Sequence, residues 1–471
     1  MNRTAARTLV PFDYGDGDRA PLMWGQNAIW NVLNWLPPGR KASLNQTLVR
    51  AVPDTFGRDE VEGVLLALVR QHDSLRTTVD TTGEEPAQVR LGAGALDLWT
   101  REAPAAEAGV AGTELAADLR ALPFDLARDP GMRAGVVVSD GAPVRLCLAL
   151  SHFAVDASSL RIVAADLDGL LSGRQLGPRS QQPLERARHE AGPVMQRRQR
   201  RALDFWEQCT RETAATWLAD LPEAGPADRR WAELRSPALA VAVREIGAEH
   251  RLTTATVLQA LISLTLAFEH DETDGALRGI VGTRFTPQTA ELVGAFNLNA
   301  MFRLDLVDEP APDFFARVRR AGLKALTTCE CSQDLLNDVV MKAARERGIE
   351  ADGYCFFNDV RPVADPPPAA VEGARDAIVD LLHRTEVTVP DRSGDQKGSK
   401  FFVYVSAVGD EAVLTLCADR RFVAPDRFLW DLDWVGVAMW RTGSGPEEMR
   451  RAFAARQAPS TRSTGSGTEG R

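Results

Sequence analysis

Cysteine is scarce in this chain: there are six in 471 residues, at positions 147, 209, 329, 331, 355 and 417, and none are spaced CxxC. So few thiols do not make a disulfide scaffold, and a reducing cytoplasm with free thiols is expected. Long apolar runs are missing as well. The best one, residues 256–268, contains Gln259 and falls short of the ~18 residues a membrane helix requires. The N-terminus reaches Asp13, Asp16 and Asp18 before any apolar run, so it does not read as a secretory leader. Excess positive charge is also absent. With 55 Lys plus Arg against 65 Asp plus Glu the net charge is −10, so a polyanion would need a local basic patch, and neither nucleic acid nor a membrane is expected as a partner. What is present is ordinary globular material, 44% hydrophobic and 25% charged. It is enough for a large core and for two or three structural units at ~150 residues each.

Hydrophobic periodicity places the elements. Residues 25–36 carry Ile29, Leu33 and Leu36 at helical spacing before Pro37-Pro38-Gly39. Residues 58–72 set Val61, Val64, Leu65, Leu68 and Val69 on one helical face, and a strand is expected at 75–79. VRLCLAL, residues 144–150, is a mostly apolar run between Pro143 and Ser151 and fits a buried strand. Helix 157–171 follows, capped by Asp156. Residues 173–201 are polar and Arg-rich and read as a connector that becomes helical near 202–206, with the lobe boundary here. Further helices are expected at 254–268 and 314–328, and strands at 354–357, 401–405 and 412–416. Helices and strands mix in both halves, so the fold class is α/β (α+β). The loops at 364–373 and 388–400 are long punctuators, and the tail from Pro459 reads as low-complexity and disordered.

Familiar catalytic signatures are missing. The tail holds a formal GxGxxG at Gly465, Gly467 and Gly470, but no strand precedes it, so it is no dinucleotide site. Lys397-Gly398-Ser399-Lys400 lacks Walker A spacing, and there is no GxSxG, HExxH or EF-hand loop. Cys329 and Cys331 lack a second Cys pair or a close histidine, so two free thiols and no metal are expected.

The segment that stands out is LALSHFAVDASSL, residues 148–160. A buried strand ends at Ser151-His152, a short turn follows, and Asp156 caps the next helix. An imidazole at the mouth of a sheet is rigidly held and can take a proton from an amine or hydroxyl near neutral pH. The alternative is a histidine that only bonds a strand end. Ser151, His152 and Asp156 do not form a triad, because adjacent strand residues point to opposite sides.

His152 and Asp156 match the HxxxD core of the HHxxxDG signature, and the sequence resembles a condensation domain of nonribosomal peptide synthetases, within the chloramphenicol-acetyltransferase-like superfamily. The resemblance continues in order along the chain. Pro21-Leu22 with Gln26 and Trp30 is similar to the opening motif. QHDSLRTTV, residues 71–79, is close to RHExLRTxF, keeping His72, Leu75, Arg76 and Thr77. Asp204-Phe205-Trp206 resembles the aromatic pair that opens the second lobe. Val293-Gly294-Ala295-Phe296 with Arg303 resembles GFFVNTLPLR, and Ser332-Gln333-Asp334 the HQD element.

The resemblance implies two acetyltransferase-like lobes as a pseudo-dimer in a V, with an active-site tunnel between them: residues 1–180 carrying HxxxD, residues 181–455, and a tail at 456–471. It implies His152 near the reacting atoms, as base or as positioning group, and Asp156 paired with Arg284 to shape the loop. Gly294, Phe296, Asn297, Asn299 and Gln333 are the candidates for lining the tunnel. Ser151 stands where the family has its first histidine and Ala157 where it has glycine, and the family's asparagine falls on Leu298.

No cofactor would be bound permanently. The donor would arrive on the phosphopantetheine arm of a peptidyl or acyl carrier protein, and the acceptor would be an amine or alcohol, small or carrier-bound. The expected protein is a monomeric, stand-alone condensation enzyme, since two lobes leave no room for an adenylation or carrier module. A noncatalytic scaffold that docks a carrier protein and an acyl-CoA-dependent acyltransferase are the alternatives. The Arg-rich stretch 186–201 is the candidate docking patch, with a solvated helix face as the simpler reading.

Overall fold

A computed structural model describes residues 6–213, 228–349, 354–361, 373–391 and 399–457. The chain forms two compact units, one of Met1–Trp206, Val281–Asn299 and Thr328–Val339, the other of Glu207–Ile280, Ala300–Thr327 and Val340–Arg471. This differs from a single cut near residue 180. Residues up to Trp206 stay with the first unit, and two segments of the second half join it.

In the first unit a five-stranded sheet runs Ala6–Asp13, Ala93–Glu102, Met132–Ser139, Ala142–Leu150, Gln46–Ala51. The apolar run expected as a strand is Ala142–Leu150, the next-to-edge strand, and both of its faces are covered. Leu146, Leu148 and Leu150 pack with Val64, Leu68, Val163 and Leu167 of helices Arg58–Gln71 and Ala157–Leu171. Cys147 and Ala149 point the other way, onto Ala111, Leu115 and Leu119 of helix Ala108–Ala121. Side chains alternate across a strand, so a strand buried on both faces reads as continuous apolar sequence.

A smaller sheet pairs Asp18–Pro21, Ala87–Arg90 and Thr77–Asp80. Its last strand starts two residues later than expected, because residues 73–76 are tied into a 3₁₀ turn. The Thr77 hydroxyl donates to the Asp73 carbonyl at 2.7 Å, and Arg76 pairs with the Asp73 carboxylate at 2.5 Å.

Most of the expected connector at 173–201 is helical, in the helices Pro183–Glu190 and Pro193–Glu212. Gln182 opens the first, its N–H donating to Glu185 at 3.1 Å with Pro183 in the first turn. Leu184, Ala187, Met195, Ala202 and Trp206 are buried; the high arginine count hides this apolar face.

A seven-stranded sheet, in the second unit but for residues 281–282 and 297–299, has the order Asn297–Asp305, Asp274–Gly282, Tyr354–Asp359, Ser399–Val408, Ala412–Asp419, Arg229–Ser236, Glu386–Thr388. Helices Pro237–His250, Thr254–Glu269 and Pro425–Thr442 pack together in this unit. Among the described residues no single helix is long and apolar enough to cross a membrane; twelve residues of Thr254–Glu269 are buried in the core. The tail from Pro459 and most of the two loop punctuators lie outside the described residues.

Candidate active site

The site is assembled where strand Ala142–Leu150 stops. The Ser151 N–H donates to the Gly131 carbonyl at 3.0 Å, and the Ser151 carbonyl accepts from the Ala154 and Val155 N–H groups. These bonds turn the chain toward helix Ala157–Leu171. Only glycine fits at 131: a Cβ there would lie 2.5 Å from Ala154 Cβ and 2.7 Å from the Ser74 carbonyl oxygen. The Ser151 hydroxyl accepts from the Phe153 N–H at 3.3 Å and makes no bond to His152 among the described residues, so no triad forms.

His152 is partly buried, and its Nδ1 lies 2.8 Å from the Val155 carbonyl oxygen. A carbonyl oxygen only accepts, so Nδ1 carries the proton and Nε2 of the neutral ring keeps its lone pair. No described residue bonds Nε2. The turn thus fixes the tautomer that can accept a proton.

Asp156 caps the helix, its Oδ1 accepting from the Ser159 N–H at 2.8 Å. The same carboxylate takes Arg284 Nη1 at 2.7 Å, Arg284 Nη2 at 3.0 Å and the Phe296 N–H at 3.0 Å. Burial alone would raise this carboxyl, but the Arg284 charge and hydrogen bonds, with the Ser159 and Phe296 N–H groups, hold it below the usual carboxylate range. Arg284 also donates to the Leu292 carbonyl and to the Ser159 hydroxyl, and its guanidinium lies 4.9 Å from the Phe296 ring centroid. The side chains of Asp156 and Arg284 are only 1% and 9% exposed. The pair therefore ties helix Ala157–Leu171 to the segment 281–299.

The other sequence candidates divide in two. Gly294 and Phe296 are buried, Gly294 bonded through its N–H and carbonyl to the Ser159 hydroxyl and Phe296 through its N–H to Asp156. Asn297 and Asn299 are partly exposed, while Leu298, at the family's asparagine position, packs with Trp24 and Met195. Alternation along the strand puts both asparagines opposite Leu298. Asn299 donates to Gln333 at 2.6 Å, and Gln333, itself buried, donates to the Cys331 carbonyl at 3.3 Å. Ala157 is exposed and has no positive φ, so the departure from glycine strains nothing.

Other motif residues brace this frame. Gln26 is fully buried and accepts from the Met23 N–H at 2.9 Å. His72 is fully buried with Nε2 2.8 Å from Asp166, and burial lowers its pKa. Gly25 lets its helix approach the loop, since a Cβ there would lie 2.2 Å from the Ala295 carbonyl oxygen.

Sequence reasoning missed two groups of contacts. Asn27 and Asn31 each donate to the Asp334 carboxylate at 2.5 Å; their i, i+4 spacing on one helix was the available signal. Buried Glu190 accepts from the Trp24 N–H at 2.8 Å and from Arg186 at 2.9 Å, and burial pushes it up to about 7. Arg186 also meets Glu330 at 3.1 Å, so it is a buried brace and does not belong to a surface patch. Cys329 and Cys331 are buried and form no disulfide, and burial pushes the Cys329 thiol up to about 12. Among the described residues no group of three or more His, Cys, Asp or Glu is placed to hold a metal ion.

A family model of the condensation domain matches residues 18–338. The chain belongs to the condensation-domain family. Among curated proteins this condensation domain is 24% identical over 458 residues to the phosphinothricin tripeptide synthetase PhsC of Streptomyces viridochromogenes, covering 91% of this chain and 41% of PhsC. It thus spans less than half of that synthetase. Solved structures share its mixed α/β fold. The condensation domain of the monacolin K polyketide synthase MokA superposes with a TM-score of 0.66 at 15% identity, over 91% of this chain and 98% of that one. The X-domain from teicoplanin biosynthesis, solved in complex with OxyB, gives 0.63 at 15% identity over 95% and 98%.

Proposed function

We propose that this condensation domain transfers an acyl or aminoacyl group from a carrier-protein phosphopantetheine thioester to an amine or alcohol, giving an amide or ester. Condensation domains of peptide synthetases work with such carriers. The observation that carries the proposal is the His152 tautomer: Nδ1–H is committed to the Val155 carbonyl, and Nε2 is left with a lone pair. As the acceptor nitrogen or oxygen attacks the thioester carbonyl, Nε2 takes its proton. The C–S bond then breaks, and the proton leaves on the thiol. The thioester is already activated, so alignment and one proton transfer suffice, and the latter is worth ~10²–10⁴-fold. Asp156 and Arg284 are positioning residues that hold the turn.

For the carrier, the sequence patch is narrowed by geometry. Arg186, Arg188 and Arg198 are paired with acidic groups. Arg197, Arg200 and Arg201 lie exposed at i, i+3 and i+4 on helix Pro193–Glu212, with no acidic partner among the described residues. This is the face proposed for an acidic carrier protein. Loading a candidate carrier protein, adding acceptors and reading product by mass spectrometry tests the reading.

The likeness to a domain solved with OxyB, together with Ser151 in the motif, favours scaffolding as the second reading. Tight carrier binding with no product from any acceptor would select it.

A further inference from the structure

The first unit holds a cavity of about 230 Å³ on the Ser151 side of the turn. Its apolar walls are Trp30 and Leu33 from helix Trp24–Trp35 and Phe124 and Leu126 from the loop before strand Met132–Ser139; Ser151 and Lys41 also line it. The walls are held in place. Leu33 and Leu126 are buried in one cluster with Phe153, against which Trp30 and Phe124 pack. Arg133 pins the loop by donating to the Leu122 and Pro123 carbonyls at 2.9 and 3.0 Å, and its guanidinium lies 3.8 Å from the Phe124 ring centroid. The space meets a departure in sequence: where the HHxxxDG signature has an imidazole, this chain has the smaller Ser151, one of the residues that line the cavity.

Size and charge select an occupant. A cavity of ~150 Å³ accepts benzene, so this one has room for an aromatic ring and roughly three more heavy atoms, the size of a carboxylate. Two charged residues line it, Lys41 and Asp125. The Asp125 carboxylate already accepts from the Ala127 N–H at 3.1 Å and lies 3.9 Å from Arg128. Lys41 has no acidic partner among the described residues, so the unmatched charge is positive. Aromatic and aliphatic walls with one unmatched cation suit a flat apolar body with an anionic end. We propose that this cavity is a binding site for a small aryl carboxylate, opened by serine at position 151 and held one residue from His152. The site goes beyond the transfer reading and does not rest on it, since binding is measured without carrier or acceptor.

The experiment is a ligand-observed NMR titration of the full chain with benzoate and, as the neutral analogue, benzyl alcohol. Benzoate is expected to bind saturably and about two- to fivefold more tightly than benzyl alcohol, the range for a partly exposed charge pair. Lys41→Met removes that difference and leaves benzyl alcohol unchanged. Ser151→His refills the cavity from its base, and Thr81→Trp, at an exposed position in the lining, fills it from the rim. Each should weaken both ligands about tenfold or more, with thermal melts confirming that the variants fold. The rim variant decides the matter if the histidine variant unfolds. Absence of saturable benzoate binding by the parent chain, or unchanged binding in the folded filled variants, overturns the site. A benzoate preference that survives Lys41→Met overturns the assignment of the anion to that lysine.

Discussion

Removing Asp156 should open the turn locally and leave the rest of the first unit standing. In Asp156→Ala the Arg284 guanidinium, with a side chain only 9% exposed, keeps its charge and loses its counterion. The Ser159 and Phe296 N–H groups lose their acceptor at the same time. An orphaned buried charge of this kind costs about 3–5 kcal/mol, of which the lost helix cap is about 1. Hydrogen exchange read by mass spectrometry on peptides covering 157–171 and 287–299 reports that opening directly. Exchange at Ser159 and Phe296 should accelerate by roughly two to four powers of ten, at 1.36 kcal/mol per tenfold. Adding Arg284→Met removes the orphaned charge and should recover about 2 kcal/mol of the loss. Because the Asp156 carboxyl is held below its ordinary value, the advantage of wild type over Asp156→Asn is present at neutral pH. It is lost as pH falls through the lowered folded-state pKa. Exchange at the wild-type rate in Asp156→Ala, or a double variant as open as the single one, would refute the bracing role.

Three further outcomes follow from other contacts. Glu190 titrates at about 7 when folded against an ordinary 4.5, so the folded state holds the extra proton. The stability of wild type relative to Glu190→Gln should therefore fall by about 3 kcal/mol as pH rises from about 4.5 to 7 and stay flat above, read by urea titration; a flat difference across that window would contradict it. All six cysteines are buried, so a thiol reagent at pH 8 should label none rapidly until denaturant is added, and fast labelling of the native chain would contradict this. Charge reversal at Arg197, Arg200 and Arg201 should raise KM for the carrier and flatten its salt dependence while leaving kcat within about twofold, and an unchanged KM would remove that face as the docking surface.

Local pattern was legible wherever one element buries its own face. Helix 157–171 was read to the residue, because Asp156 caps it and Val163 and Leu167 mark its stripe. The strand before it was legible because apolar residues on both faces leave an unbroken run. Periodicity failed where long polar side chains disguise burial. The segment 173–201 reads as a polar connector, yet it holds helix Pro183–Glu190, the start of helix Pro193–Glu212 and the buried Glu190. Long-range pairs leave no local trace either: Asp156 with Arg284 was reached only through the family resemblance, and Asn27 and Asn31 with Asp334 not at all. The His152 tautomer lay beyond sequence altogether, since it depends on where the Val155 carbonyl points. The cavity at Ser151 did too, since it depends on what packs around a missing imidazole.

The most direct measurement is the single-turnover rate of acyl transfer from a loaded carrier protein to a chosen acceptor, compared between wild type and His152→Ala at equal carrier occupancy. With Nε2 as the proton acceptor, the variant should be slower by ~10²–10⁴-fold while carrier affinity is unchanged. Transfer by His152→Ala at the wild-type rate would contradict the role assigned to this histidine.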